Sequence, residues 1–227
     1  GGVVGYEQGV VSNCYNTGNV SGNDFNVGGV VGYANYTVTE CYNTGIVNGK
    51  NHVGGVAGKA VSSSKITNCY NIGAVEGDNY VGGFVGYGFS VAVENCYSAC
   101  IVRSSGTYYG AFIGFNYVNN SNLTNCFYDS SLCNPSDSDV KAGVIGKTTA
   151  VFINGEVAYL LQGTQEEDIW GLNLGSGDYP NFEGQKVYYG YEYCDSPYKK
   201  YSNKVLLENN SEHKDELLDG KCDICGK

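Results

Sequence analysis

A cysteine followed by an aromatic residue returns at Cys14, Cys41, Cys69, Cys96 and Cys126, at spacings of 27, 28, 27 and 30 residues. A glycine block travels with it, as Gly1-Gly2-Val3-Val4-Gly5, Gly28-Gly29-Val30-Val31-Gly32, Gly54-Gly55-Val56-Ala57-Gly58 and Gly82-Gly83-Phe84-Val85-Gly86, degrading to Gly110-Ala111-Phe112-Ile113-Gly114. A unit this short cannot bury its apolar side alone. It must stack on neighbours of its own kind, so the period restricts the chain to a repeat architecture.

The content of one period selects the kind of stack. Val53–Gly58 is small and β-branched, Ser62-Ser63-Ser64 is a turn, Lys65–Tyr70 reads as a second strand and Gly73–Gly77 as a third. No apolar 3.6-residue period intervenes, which excludes helical and leucine-rich repeats. The expected fold is all-β: a parallel β-helix, or β-solenoid, of about five coils with three short strands each and a small mixed C-terminal cap. The usual hand of parallel crossovers predicts a right-handed solenoid.

Ladders follow from the register. Val11, Val38, Ile66, Val93 and Leu123 stand three residues before the cysteines; Tyr15, Tyr42, Tyr70, Tyr97 and Phe127 follow them directly; Val20, Val47, Val75 and Val102 come six residues later. Equivalent side chains then lie ~4.8 Å apart. Strand parity sets the cysteine on the face opposite its −3 and +1 neighbours. All three point inward only if the chain bends just before the cysteine, where Asn13, Asn68, Asn95 and Asn125 suit a turn and Glu40 is the exception.

The five repeat cysteines are odd in number, and stacked Cβ atoms point in parallel, which does not suit disulfides. They read as a structural ladder of buried free thiols acting as small apolar groups. Cys100 replaces the glycine found at Gly18, Gly45 and Gly73, and pairing with Cys133 is the expectation for it.

Charge excludes some partners. Residues 1–128 hold six acids and four bases, whereas residues 129–227 carry a net charge of −8 out of −10 overall. Neither part has the basic stripe that nucleic acid requires, and no apolar run reaches the ~18 residues of a membrane span. The chain opens inside a repeat and without methionine, which reads as a piece of something longer. The five Asn-x-Ser/Thr sequons are no more than this composition gives by chance.

The strings Val-Gly-Gly-Val-Val-Gly-Tyr (27–33) and Asn-Cys-Tyr-Asn-Thr-Gly-Asn-Val-Ser-Gly (13–22) resemble the GLUG motif, a repeat of large bacterial surface proteins, including adhesins and non-catalytic parts of some immunoglobulin A peptidases. The resemblance covers residues 1–129 and implies an extracellular β-solenoid; it does not imply peptidase activity, because no part of the chain matches a catalytic domain. The segment Gly155–Gly163, then Ile169-Trp170-Gly171 and Tyr179–Phe182, is similar to what often follows such repeats. It reads as a short amphipathic helix and short strands covering the open solenoid end, with Lys186–Tyr191 as a strand. The expected division is solenoid 1–129, cap 130–193 and an acidic Cys/His tail 194–227.

That tail carries the clearest site signal. Cys222-x-x-Cys225-Gly226 has zinc-knuckle spacing, and Cys194 and His213 complete four metal ligands. A structural zinc is the one cofactor expected. A Cys222–Cys225 disulfide or loose thiols are the alternatives. Calcium at Asp215, Asp219 and Asp223 lacks a twelve-residue loop with a closing glutamate.

No catalytic constellation is visible. The solenoid acids occupy different repeat positions, His52 reads as a solvated turn residue, and Ser62–Ser64 have no histidine partner. Tyr33, Tyr87, Tyr108, Tyr109 and Tyr117 are candidates to present aromatic faces to sugars or proteins. The expectation is a non-enzymatic bacterial module, secreted or on the cell surface, with a structural or adhesive role. Its partner would be a host or matrix protein or glycan, or another copy end to end. The runners-up are an extracellular filament subunit and a non-catalytic part of a larger peptidase or glycan-degrading enzyme.

Overall fold

Two features of each repeat break its strands: the glycine pair and the residue before the cysteine. A computed structural model describes residues 1–117, 122–192 and 196–208. The coil at 25–48 runs through the strands Phe25–Gly28, Val31–Ala34, Thr37–Thr39, Tyr42–Asn43 and Val47–Asn48. The next coil repeats it as Asn51–Gly54, Ala57–Ala60, Lys65–Thr67, Tyr70–Asn71 and Val75–Gly77. Equivalent strands pair in parallel, in the register Val31–Ala57–Val85–Ile113 and Val38–Ile66–Val93–Leu123. The fold is a β-solenoid of about four turns with little helix. A regular coil thus holds five short strands where the sequence reading has three.

The glycine block accounts for one extra strand. A Cβ on Gly54 would strike the carbonyl oxygen of Ala57, and one on Gly55 would strike the Asn71 side chain and the Gly83 carbonyl. The pair is therefore a corner between two strands. Close approach is what requires glycine there, since among the described residues no glycine before Gly143 has positive φ.

The second break is the expected bend. Asn13, Glu40, Asn68, Asn95 and Asn125 all sit in the left-handed region, with φ between 50° and 53°. The bend reverses the direction of hydrogen bonding. Glu40 and Asn68 donate forward to Thr67 O and Glu94 O, whereas Tyr42 and Tyr70 donate back to Cys14 O and Cys41 O. The cysteine N–H caught between them finds sulfur: Cys41 N donates to Cys69 Sγ at 3.4 Å, and Cys69 N to Cys96 Sγ at 3.3 Å. The thiols donate in turn to carbonyls two residues back, Cys41 to Thr39 and Cys69 to Thr67, both at 3.1 Å. A purely apolar side chain would leave that N–H unsatisfied.

The bend brings the −3 residue and the cysteine into one core: Val38, Ile66 and Val93 pack with Cys41, Cys69 and Cys96. The aromatic residue after the cysteine stands outside that core. Tyr15, Tyr42, Tyr70 and Tyr97 instead stack on one another at 4.8–5.2 Å, within 8° of parallel. Val20, Val47, Val75 and Val102 build a second core with Val27, Val53 and Val81. Each fully buried valine contributes roughly 1.5–3 kcal/mol, so repetition supplies most of the stability.

An asparagine ladder also runs through the interior. Asn16 Nδ2 donates to Asn43 Oδ1, and Asn43 Nδ2 to Asn71 Oδ1, both at 2.7 Å. In the following coil the pattern changes by exchange. Ser98 replaces the asparagine, and Cys100, in place of glycine, puts its sulfur beneath Gly83 where Asn71 lies beneath Gly55. That packing role corrects the expected disulfide: Cys100 and Cys133 are both free thiols, and Cys133 Sγ donates to Asn134 O at 3.5 Å. Burial pushes the Cys100 thiol up to about 12.

The last coil is closed by a short helix, α1 (Asp137–Ala142), and by the strand Ile145–Lys147, which pairs with Asn122–Asp129. Asp139 does the closing. In the middle coils, the N–H groups of Val56 and Ala57 both donate to Phe84 O, and those of Phe84 and Val85 both donate to Phe112 O. In the last coil Phe112 N and Ile113 N donate to Asp139 Oδ1, at 3.1 and 2.7 Å. Ala111 N, Ser136 N and Ser136 Oγ donate to Oδ2. One carboxylate oxygen thus replaces the carbonyl of a further coil. Burial raises the carboxyl above its ordinary range, and these donors pull it back down.

Contacts divide the chain into two compact units, Gly1–Thr149 and Ala150–Lys227. At the start of the second lies α2 (Thr149–Ile153), followed by α3 (Glu156–Gln162). An antiparallel pair, Tyr188–Gly190 with Lys200–Ser202, follows. Trp170 is buried with its ring 4.8 Å from Phe182, and Gln162 Oε1 accepts from Ile169 N and Trp170 N.

Candidate functional site

The residue after each glycine block points outward on the sheet built from Val31–Ala34, Ala57–Ala60, Val85–Phe89 and Ile113–Tyr117. In register these residues are Tyr6, Tyr33, Lys59, Tyr87 and Phe115. Tyr6 and Tyr33 stack at 4.9 Å. Lys59 Nζ lies over both neighbouring rings, 5.4 Å from Tyr33 and 5.3 Å from Tyr87, within cation–π range. Tyr87 continues to Phe115 at 5.6 Å, and Phe89 to Tyr117 at 5.4 Å. Burial among these rings raises the Tyr87 phenol above its ordinary range.

A second column lies beside the first. Phe25, His52, Tyr80 and Tyr108 follow one another at 5.5, 5.1 and 5.1 Å, and His52 also contacts Tyr87 at 5.0 Å. Asn26, His52 and Tyr80 all adopt left-handed backbone, with φ of 62°, 52° and 56°. That geometry suits asparagine. Histidine also tolerates it, and tyrosine adopts it here because the position is a corner repeated in successive coils. His52 is therefore not a solvated turn residue. It is half-buried between rings, and its Nδ1 lies 2.9 Å from Asn26 Oδ1. Burial and then the Lys59 charge lower its pKa to about 4, so the ring is neutral at pH 7.

The two columns end at a cleft of about 570 Å³ between the last coil and α1, lined by Tyr108, Tyr109 and Phe115 on one side and Asp137 and Lys141 on the other. This is within the size range of small-ligand sites. Of the five tyrosines singled out in the sequence, Tyr33, Tyr87, Tyr108 and Tyr117 share the aromatic face. Tyr109 is paired with Val81 and is exposed at the cleft. Lys59, His52, Tyr80 and Phe115 were missed, although alignment on the glycine blocks puts all four in register with a tyrosine.

Four of the six solenoid acids have structural partners. Glu76 pairs with Arg103 at 2.6 Å, Glu94 with Lys65 at 3.8 Å, and Asp78 Oδ1 accepts from Ser105 Oγ. Glu7 is buried and its Oε2 accepts from Asn35 N and Tyr36 N. The repeat cysteines Cys14, Cys41, Cys69, Cys96 and Cys126 are free thiols in one column. Cys194, His213, Cys222 and Cys225 lie outside the described residues, as do Asp215, Asp219 and Asp223. Among the described residues no cluster of three His, Cys, Asp or Glu side chains could hold a metal, and no helix is long and apolar enough to cross a membrane.

No family model and no curated protein matches the chain. Its fold is similar to the crystal structure of a "putative immunoglobulin A1 protease" from Bacteroides ovatus, with a TM-score of 0.59 and 22% identity over 78% of this chain. The similarity spans 58% of the length of that protein.

Proposed function

We propose that the chain is a non-catalytic module of a larger bacterial protein, secreted or held at the cell surface, which binds a glycan or a protein through its aromatic face. The observation that carries this reading is the convergence of Tyr33, Lys59, Tyr87, Phe115, Tyr80 and Tyr108 on one side of the solenoid. A rigid stack holds such rings in place at little entropic cost on binding. The GLUG-like strings and the likeness to a structure named for an immunoglobulin A1 protease favour an extracellular setting and a supporting part of a peptidase-like protein. The scatter of the solenoid's acids over different repeat positions, four of them with structural partners, favours a non-catalytic role. Asp139 occupies one corner of the hydrogen-bonding edge that end-to-end stacking would use, which weighs against a filament.

Binding to arrays of glycans and extracellular matrix proteins tests the reading. Wild-type protein should retain at least one class of ligand. Tyr33→Ala with Tyr87→Ala should weaken it at least about tenfold, or about 1.4 kcal/mol, with the circular dichroism spectrum unchanged. Retention unaffected by the double substitution would remove the aromatic face from the account.

A further inference from the structure

The ladder of rings in the second column stops with one ring face open. Tyr80 and Tyr108 stack at 5.1 Å and 2°. Phe115 stands 5.5 Å from Tyr80 and 4.9 Å from Tyr108, nearly perpendicular to both. These three distances form an almost equilateral triangle, so Phe115 flanks the stack and does not lie on the far face of Tyr108. Among the described residues no ring stacks on that face, and Tyr108 lines the cleft beneath α1. The cleft therefore occupies the place of the next rung.

We propose that this cleft binds the terminal neutral pyranose of a glycan, stacked on Tyr108 as a further ring of the ladder. The proposal rests on the aromatic-face reading and adds the ligand class and its point of entry. A pyranose presents an apolar C–H face and a rim of hydroxyls. Tyr108 and Phe115 supply the apolar wall, and Thr107, Asn134, Asp137 and Lys141 supply acceptors and donors around it. Asp137 and Lys141 are one helical turn apart on α1 and face the cleft together, so it carries both signs of charge and no net charge from this pair. That balance favours hydroxyls over a carboxylate or phosphate. The cleft volume leaves room for part of a second sugar, with the chain then leading outward over the aromatic face.

Amide chemical-shift mapping on the whole chain, titrated with neutral methyl glycosides, a sialoside and adenosine, tests this. At least one neutral glycoside should produce saturable shifts confined to 107–116 and 134–141. Tyr108→Ala and, separately, Asp137→Asn should raise its Kd by about tenfold or more, and Tyr15→Ala, exposed in the first coil, should leave it unchanged. Asp137→Asn keeps the test decisive if Tyr108→Ala perturbs the fold. The proposal is overturned if no neutral glycoside shifts these residues at tens of millimolar, or if only adenosine or the sialoside does. It is also overturned if sugars shift residues around Tyr33, Lys59 and Tyr87 alone, an outcome that leaves the aromatic-face reading standing.

Discussion

Both ends of the solenoid bury a carboxylate, and they use it differently. At the C-terminal end Asp139 takes five donors, with each oxygen engaged, and stands where the carbonyl of another coil would be. At the other end Glu7 takes two backbone N–H groups through Oε2, while its buried Oε1 has no hydrogen-bond partner. The strands around Glu7, Val4–Tyr6, Val11–Ser12, Tyr15–Asn16 and Val20–Ser21, are edge strands, and Val10 and Tyr15 are exposed. At the C-terminal end one corner of the last coil is thus closed by Asp139 and Asn122–Asp129 gains Ile145–Lys147, although Val102–Ser104, Tyr109–Gly110 and Ile113–Tyr117 remain edge strands; at the other end, among the described residues, all four strands are edges. The last coil of a repeat stack still offers a row of N–H groups, and a single aspartate on a short helix takes three of them.

The largest expected effect breaks this contrast directly. Asp139→Ala leaves three buried N–H groups unpaired and should cost about 3–5 kcal/mol in urea denaturation. Glu7→Ala should cost only about 1–2 kcal/mol, because fewer donors lose a partner. Equal losses would show that the ends are equivalent. Next in size, Cys69→Ala removes the acceptor of Cys41 N–H and opens a small void in the middle coils, for about 2–3 kcal/mol. Cys14→Ala, in the half-open first coil, should cost under about 1 kcal/mol. Thermal melts showing the two alike would contradict the sulfur ladder.

A third effect separates the middle from both ends through pH. Folded His52 has its pKa lowered to about 4, below the ordinary 6.5, so between these values the unfolded chain binds a proton that the folded chain does not. Its contribution is fully present above pH 6.5 and is lost as pH falls towards 4. After allowance for solvent at this half-buried site, that amounts to about 1–2 kcal/mol. Denaturation curves at pH 7 and 4.5 should differ by that much more in wild type than in His52→Asn, which carries the side chain found one coil earlier. Identical pH slopes would exclude His52 as the source.

The fold was largely legible because repetition amplifies weak signals. Five copies of one pattern specify a stacked, parallel register, and the parity conflict at the cysteine correctly called for a bend. The strand count was not legible. Gly54-Gly55 reads locally as strand, and only the carbonyl and asparagine packed against the missing Cβ atoms make it a corner. The tyrosines of the aromatic face could be picked out, but His52 was misread because its partners lie 26 to 35 residues away and meet it only across coils.

The sequence by itself determined the period, the ladders and the absence of a recurring charged position, since these are properties of one coil repeated. The tertiary structure alone decided what differs between coils. It made a thiol the acceptor for an N–H stranded by a left-handed residue, and it placed the Cys100 sulfur against Gly83 where Asn71 lies against Gly55. It also turned Asp139, thirteen residues beyond the last repeat cysteine, into a final acceptor of the stack in place of a carbonyl. Such roles depend on which backbone groups remain unpaired once the coils are in place, and no single repeat carries that information.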